Sequence, residues 1–173
     1  MRRPRHAKFS AVDAIDQVVM NSRLHYLGMA ARTVQPLMRL VVLTCMDARI
    51  DPAALFGLRP GDAHVIRNAG GRATEDAINA IAISQAALGT REVMVLHHTE
   101  CAMGRMSSTE IAGVIEAATG FPFHEKLETF ADPLEAVLED LERLRRSPHL
   151  SHRDRIRGFM YDLAKNAVVE MGR

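Results

Sequence analysis

Two cysteines, and a histidine close to the second of them, are the residues of this sequence best suited to binding a metal. The chain contains only Cys45 and Cys101, and His98 stands three positions before Cys101. Thiolates together with an imidazole form a ligand set that favours zinc and other soft metals. A disulfide between the cysteines is the alternative, but a reducing compartment and the H-x-x-C spacing favour a metal site. The sequence therefore predicts Cys45, His98 and Cys101 as ligands.

Each part of this ligand set follows a short apolar segment that is typical of a strand buried on both faces. Residues 40–43 lead to Cys45, and residues 93–96 lead to the two adjacent histidines. The carboxyl ends of neighbouring parallel strands meet at one edge of a sheet, so ligands that are distant in sequence can converge there. His97 points away from His98 if the strand continues, so we expect it to be packed or hydrogen-bonded rather than a ligand. His64 is interpreted as structural.

Asp47 and Arg49 follow the first ligand closely. Three protein ligands leave the fourth tetrahedral position of zinc to water, which is the arrangement of a catalytic site. Asp47 can accept a hydrogen bond from a zinc-bound hydroxide, and Arg49 can keep this carboxylate ionised and in place. Without that context, an ordinary surface ion pair is an equally good interpretation of the two residues.

The composition predicts one domain spanning residues 1–173. The chain is 47% hydrophobic and 25% charged, with a net charge of +1, which gives no general reason to expect nucleic-acid binding. No apolar stretch is long enough to span a membrane, and the N-terminus lacks the apolar core of a signal peptide. We therefore expect a cytoplasmic protein without membrane or nucleic-acid partners. Residues 1–10 are predicted to be a mobile tail, and residues 11–29 a helical arm.

The alternation of strand and helix patterns predicts an α/β fold. We expect a mostly parallel four-stranded sheet in the order 2-1-3-4, with an antiparallel edge strand, helices on both faces and the N-terminal helical arm. The helix after Thr74 is apolar on nearly every face and is expected to be deeply buried. The predicted strands are 40–43, 63–67, 93–96, 158–162 and 167–171, and the predicted helices are 52–56, 74–88, 107–119 and 132–144.

Three motifs together resemble the β-class carbonic anhydrases. They are CMDAR at 45–49, RNAGG at 67–71 and HHTEC at 97–101. The resemblance extends through LGTREVMVLHHTEC and GFMYD, over most of residues 38–163. The C-x-D-x-R and H-x-x-C pair with RNAGG between them is specific, whereas H-x-x-C alone is a weak signal.

The resemblance implies a zinc lyase that interconverts carbon dioxide and bicarbonate with a zinc-bound hydroxide. It implies one Zn²⁺ per chain on Cys45, His98 and Cys101, with Asp47 and Arg49 as the catalytic pair beside the metal. It also implies dimers or larger assemblies, so we expect a homodimer whose N-terminal arm crosses onto the partner. The sequence departs from the family at Ala102, where glycine is usual.

Several points stay open at this stage. The Gly70–Gly71 loop is expected to lie near the metal and to contact substrate, although it can equally be only a tight turn. In some members of the resembled family the aspartate binds zinc as a fourth ligand, which predicts that activity rises with pH as Asp47 leaves the metal. Hydrolysis of carbonyl sulfide or carbon disulfide is an alternative activity, and a non-catalytic zinc protein is a third alternative.

Overall fold

The sheet has the predicted topology. A computed structural model describes residues 33–172 together with residues 14–15 and 18–19. Its strands lie in the order β2-β1-β3-β4-β5, with the first four parallel and β5 antiparallel to β4. The α/β class and the 2-1-3-4 order are confirmed, and the sheet has five strands once the antiparallel edge strand is counted. The strands are β1 (Leu40–Cys45), β2 (Ala63–Asn68), β3 (Glu92–His98), β4 (Ile156–Asp162) and β5 (Ala167–Met171).

The helices begin at the residues that the capping patterns predict. Thr74 and Asp132 accept hydrogen bonds from backbone N–H groups of the first helical turn, and Ser107 forms a capping box with Glu110. Asp51 caps the first, short helix in the same way. The helices are α1 (Pro52–Phe56), α2 (Glu75–Ala86), α3 (Ser108–Thr119) and α4 (Pro133–Arg146).

The core covers both faces of strand β1. Val41 and Leu43 of β1 have no exposed surface and belong to the same cluster as Ile81 of α2 and Val137 of α4. Val42 points to the opposite face and is also fully buried. Complete burial on both faces explains why this strand is a continuous apolar run, and it places the carboxyl end of β1 well inside the molecule.

Some predicted details are wrong. Ile83 is 59% exposed, so α2 is not buried on nearly every face. Leu134 and Leu138 of α4 are 43% and 48% exposed, which leaves a narrower apolar face than the spacing predicts. Strand β3 continues through both histidines. Strand β4 begins at Ile156, two residues before the predicted strand 158–162.

The predicted N-terminal features lie largely outside the described residues. The predicted tail 1–10 is not described, and of the predicted arm 11–29 only residues 14–15 and 18–19 are described, all of them helical. Within the described ranges, no helix combines the length and the apolar character needed to cross a bilayer.

Candidate metal centre

The three predicted ligands converge at the carboxyl ends of two neighbouring strands. Cys45 ends β1, His98 ends β3, and Cys101 follows in the next turn. Their donor atoms all lie within 4.8 Å of one another, and the two sulfur atoms are 3.9 Å apart. All three residues are buried. Sequence-distant residues therefore form one compact donor set because β1 and β3 pair in parallel register.

The imidazole of His98 has one nitrogen left for a metal. Its Nδ1 lies 2.8 Å from the carbonyl oxygen of Thr99, and because a carbonyl only accepts, Nδ1 carries the proton. The Nε2 atom is buried and has no hydrogen-bond partner. A buried nitrogen without a partner, beside two thiols, fits a metal such as zinc.

The two thiols share one proton unequally. The hydrogen bond from Cys101 lowers the pKa of Cys45 to about 4, against the opposing effect of burial. The same contact and burial raise the pKa of Cys101. Burial opposes protonation of His98, but the adjacent sulfur of Cys45 and the carbonyl of Thr99 leave the pKa of the imidazole above its ordinary value. The site therefore favours negative charge on sulfur, which is the form that binds metals.

Asp47 and Arg49 form a closely held ion pair beside the donor set. The guanidinium donates from Nε to Oδ1 at 3.0 Å and from Nη2 to Oδ2 at 2.7 Å, and the Arg49 backbone N–H also reaches Oδ1. This bidentate pairing holds the pKa of Asp47 well below its usual range and raises the pKa of Arg49. Oδ2 of Asp47 lies 3.8 Å from Nε2 of His98, so the carboxylate stands next to the nitrogen that is free for a metal.

Comparison with known proteins agrees with this geometry. The carbonic anhydrase family model matches residues 40–168. β-Carbonic anhydrase 1 of Mycobacterium tuberculosis is 38% identical over 136 residues, which cover 79% of this chain and 83% of that protein. This chain belongs to the β-carbonic anhydrase family. The crystal structure of a carbonic anhydrase from Streptococcus mutans superimposes with a TM-score of 0.86 at 33% identity, covering 93% of this chain and 99% of that one.

A second group of relatives has a different named activity. A carbon disulfide hydrolase from an Acidianus species is 33% identical over 150 residues, covering 72% of this chain and 73% of that protein. Membership of the β-carbonic anhydrase family is thus confirmed, while the fold is shared with proteins named for a different substrate.

The glycine loop of this β-carbonic anhydrase family member packs directly against the strand that carries Cys45. A Cβ atom on Gly71 would lie 2.7 Å from the backbone nitrogen of Cys45 and 2.8 Å from the carbonyl carbon of Thr44. Gly71 also has φ +69°, a conformation that residues with a Cβ atom rarely adopt. The backbone N–H of Gly70 also contributes to lowering the pKa of the Cys45 thiol. The loop therefore supports a ligand; its contact with substrate stays a prediction.

Arg67 is a site residue that the sequence analysis did not single out. Its Nε donates to the carbonyl oxygen of Cys45 at 3.0 Å, and its Nη2 donates to that of Asp47 at 2.7 Å. One side chain thus bridges the backbone of a predicted ligand and that of the adjacent carboxylate. The signal in the sequence is its place in RNAGG, at the end of the strand beside β1, where Arg67 pairs in register with Thr44.

A buried ionic cluster lies behind the glycine loop. Asp140 of α4 has no exposed surface, and its Oδ2 lies 3.1 Å from Nε of Arg72 and 3.0 Å from Nε2 of His97. Arg72 directly follows Gly71 and is only 1% exposed. His97 is therefore a packed residue paired with a carboxylate, as predicted, and not a ligand. His64 likewise lies 2.7 Å from the hydroxyl of Ser84, which agrees with a structural role.

The substitution of the usual glycine by Ala102 causes no backbone strain. Within residues 33–172, only Arg39, Glu100 and Asn166 among the non-glycine residues have positive φ. Ala102 begins a short 3-10 turn after Cys101, in a conformation open to any residue. The departure from the family pattern is therefore compatible with the fold.

Proposed function

We propose that this chain is a zinc-dependent carbonic anhydrase that interconverts carbon dioxide and bicarbonate. The observation that carries the proposal is a buried Cys–His–Cys donor set beside a carboxylate that is held by an arginine. Cys45, His98 and Cys101 would hold the zinc, because their donor atoms converge and Nε2 of His98 lacks another partner. Membership of the β-carbonic anhydrase family supports the same chemistry.

The roles of the protein groups follow from their positions. Zinc, when bound, supplies Lewis-acid activation of water near neutral pH. Asp47 accepts a hydrogen bond from the water that attacks carbon dioxide and so orients it, and Arg49 keeps this carboxylate ionised and aimed. Gly71 packs against the strand that carries Cys45, and we propose that the Gly70–Gly71 loop also contacts substrate.

We also propose that Asp47 has a second position, as a fourth ligand in a closed form of the site. Its Oδ2 lies 3.8 Å from Nε2 of His98 while it is paired with Arg49, so only a short movement separates the two positions. Activity is then expected to rise between about pH 6 and about pH 9. Arg49→Ala should deepen inhibition at the lower pH, because the partner that holds Asp47 is lost.

A second candidate activity is the hydrolysis of carbon disulfide or carbonyl sulfide at the same site. The observation that favours it is the similarity to the Acidianus carbon disulfide hydrolase over 72% of this chain. These molecules share the linear shape and the electrophilic carbon of carbon dioxide, so the same groups can act on them. A zinc protein without catalytic activity is the remaining alternative.

The deciding experiment compares two reactions on one zinc-loaded preparation. Stopped-flow hydration of carbon dioxide and release of sulfide from carbon disulfide are measured together with the zinc content of the chain. We expect carbon dioxide hydration and one zinc per chain; sulfide release without hydration would favour the second candidate. If zinc-loaded protein catalyses neither reaction, the non-catalytic alternative is favoured.

The ligand assignment has its own test. Cys101→Ser is expected to lose zinc during dialysis against a chelator, because it removes one of the two sulfur ligands. Met103→Leu is the matched control: Met103 packs in the same buried cluster as the two cysteines but is not a proposed ligand. Full zinc retention in Cys101→Ser would refute the assignment.

We further propose that the protein is a homodimer with the N-terminal arm lying across the partner. Support comes from the family resemblance and from exposed apolar side chains such as Val114 and Phe121, which are 59% and 75% exposed in the single chain. Sedimentation should give a dimer at micromolar concentration. A monomer that keeps full activity after deletion of residues 1–29 would refute the arrangement. The cytoplasmic location stays a prediction from the sequence.

A further inference from the structure

Glu100 holds a strained position next to a predicted ligand. Its φ is +58°, which is unfavourable for a residue with a Cβ atom. Strain of this kind persists only where the surrounding contacts impose it, and it concentrates at functional sites. Glu100 is half exposed, with a side chain that is 53% accessible, so burial of its side chain does not account for the strain. The contacts that it makes therefore indicate its role.

Those contacts converge on Arg49. The Nη2 atom of Arg49 donates to the backbone carbonyl oxygen of Glu100 at 3.1 Å, and Nη1 donates to Oε2 of Glu100 at 3.3 Å. With its backbone in the left-handed conformation, Glu100 contacts Arg49 through both its carbonyl oxygen and its carboxylate. The same carboxylate lies 3.6 Å from Nη2 of Arg105, so Glu100 is itself held from the other side.

The guanidinium of Arg49 is therefore held along two edges. Nε and Nη2 face Asp47, whereas Nη1 and Nη2 face Glu100. Arg49 is 48% exposed, and an arginine with that much freedom samples many rotamers unless both edges are fixed. The bidentate grip on Asp47 needs one orientation of the guanidinium plane, and the contacts from Glu100 select it.

We propose that Glu100 is a positioning residue that fixes Arg49 and, through Arg49, the carboxylate of Asp47 beside the donor set. The inference rests on the proposed function, in which Asp47 orients the attacking water. Glu100 acts indirectly: it contacts the guanidinium of Arg49, and its effect on the reaction depends on Arg49. Loss of its side chain should leave the zinc ligands intact and loosen the Asp47–Arg49 pair.

The chain offers a matched control at the start of β3, the strand that precedes Glu100. Glu92 begins β3 and pairs with Arg155 at 3.3 Å, the same distance as the Glu100–Arg49 contact. The side chains of Glu92 and Glu100 are 55% and 53% exposed. Glu92→Ala and Glu100→Ala each remove a surface ion pair of the same length, one far from the site and one against Arg49. Glu100→Ala also removes the longer contact with Arg105.

The first measurement does not depend on activity. The Nε–H signal of Arg49 is followed by NMR in zinc-loaded protein with ¹⁵N-labelled arginine, and it is assigned by its loss in Arg49→Lys. In Glu100→Ala we expect its exchange with solvent to accelerate about fivefold, the upper end for loss of an exposed ion pair. In Glu92→Ala we expect a change below about 1.5-fold. An unchanged exchange rate in Glu100→Ala would overturn the proposal.

The second measurement asks whether Glu100 acts through Arg49. In Glu100→Ala, kcat for carbon dioxide hydration should fall about fivefold while KM changes less than about twofold, and Glu100→Gln, which keeps an oxygen acceptor, should recover part of the loss. In the Arg49→Ala background, Glu100→Ala should have no further effect. An equal loss in both backgrounds would overturn the proposal. If the wild-type protein lacks the hydration activity, the proposed function fails, and the exchange measurement still decides the role of Glu100.

Discussion

Gly71→Ala is the substitution whose consequence can be worked out most directly from the structure. The added methyl group would lie 2.7 Å from the nitrogen of Cys45 and 2.8 Å from the carbonyl carbon of Thr44. Both atoms belong to the backbone of β1, which pairs with a strand on either side, so neither can move aside on its own. The clash therefore has to be relieved by displacing the glycine loop or the carboxyl end of β1.

Two costs add in this variant. Holding a residue with a Cβ atom at φ +69° costs about 1–2 kcal/mol, and forcing a methyl group into a packed site costs about 1–3 kcal/mol. We therefore expect a loss of about 2–5 kcal/mol in the free energy of unfolding. For a chain of this length a loss of 3 kcal/mol corresponds to a decrease of about 6–12 °C in Tm.

Gly57→Ala separates the two costs. Gly57 has φ +64°, close to that of Gly71, but a Cβ atom there would meet nothing within 4 Å. Urea unfolding of the two variants in zinc-loaded protein should give a loss of about 1–2 kcal/mol for Gly57→Ala and a clearly larger loss for Gly71→Ala. Gly71→Ala should also release zinc faster to a chelator. Equal stability losses, with unchanged zinc release, would refute the view that the loop supports the Cys45 strand.

Three further predictions concern Asp140, Asp62 and Arg67, whose side chains support the site or the sheet. Asp140→Ala should cost about 3 kcal/mol, the lower end for breaking a buried ion pair, because buried Arg72 loses Asp140 but keeps Glu139 at 2.8 Å. The cap variant Asp132→Ala on the same helix should cost about 1 kcal/mol; urea unfolding measures both. The backbone N–H and guanidinium of Arg59 hold the pKa of Asp62 below its ordinary value. Asp62 therefore stabilises the fold above its unfolded pKa and loses this effect as pH falls, so the stability difference between wild type and Asp62→Asn should shrink from pH 7 to about pH 3. Arg67→Ala should speed zinc loss to a chelator, and Arg67→Lys should restore only part of the wild-type behaviour because an ammonium group cannot bridge both carbonyls.

A specific result would contradict each of these three predictions. Similar losses for Asp140→Ala and Asp132→Ala would mean that the buried cluster contributes no more than a helix cap. A stability difference for Asp62→Asn that stays constant with pH would contradict the assigned pKa shift. Zinc release that is unaffected in Arg67→Ala would show that its two carbonyl contacts do not hold the ligand loop.

The donor set could be predicted from the sequence because it depends on strand order alone. Parallel strands β1 and β3 bring their carboxyl ends together, and the cysteines and His98 stand at those ends. The alternation of side chains along a strand likewise separated His97 from His98. Both arguments combine the local periodicity of the sequence with general rules for parallel sheets.

The residues that hold the Asp47–Arg49 pair and the loops around the site could not be predicted in the same way. Glu100 acts through a left-handed backbone conformation that no sequence pattern marks for a glutamate. Arg67 acts through backbone carbonyls, which carry no residue-type signal. Asp140 was detectable in principle, because it stands at helical spacing between Val137 and Leu144, on the face that the apolar residues define. Charged residues on an apolar face merit a search for their buried partner.

The donor atoms come from strands that are neighbours in space but distant along the chain, since Cys45 and Cys101 are separated by 56 positions. An unfolded chain keeps them apart, so the proposed zinc would bind the folded form selectively. At a free zinc concentration 100 times its dissociation constant, this preference adds about 2.7 kcal/mol to folding. With zinc as the proposed metal, its supply would partly set the amount of folded protein in a cell, and metal scarcity would lower the abundance of the protein as well as its turnover.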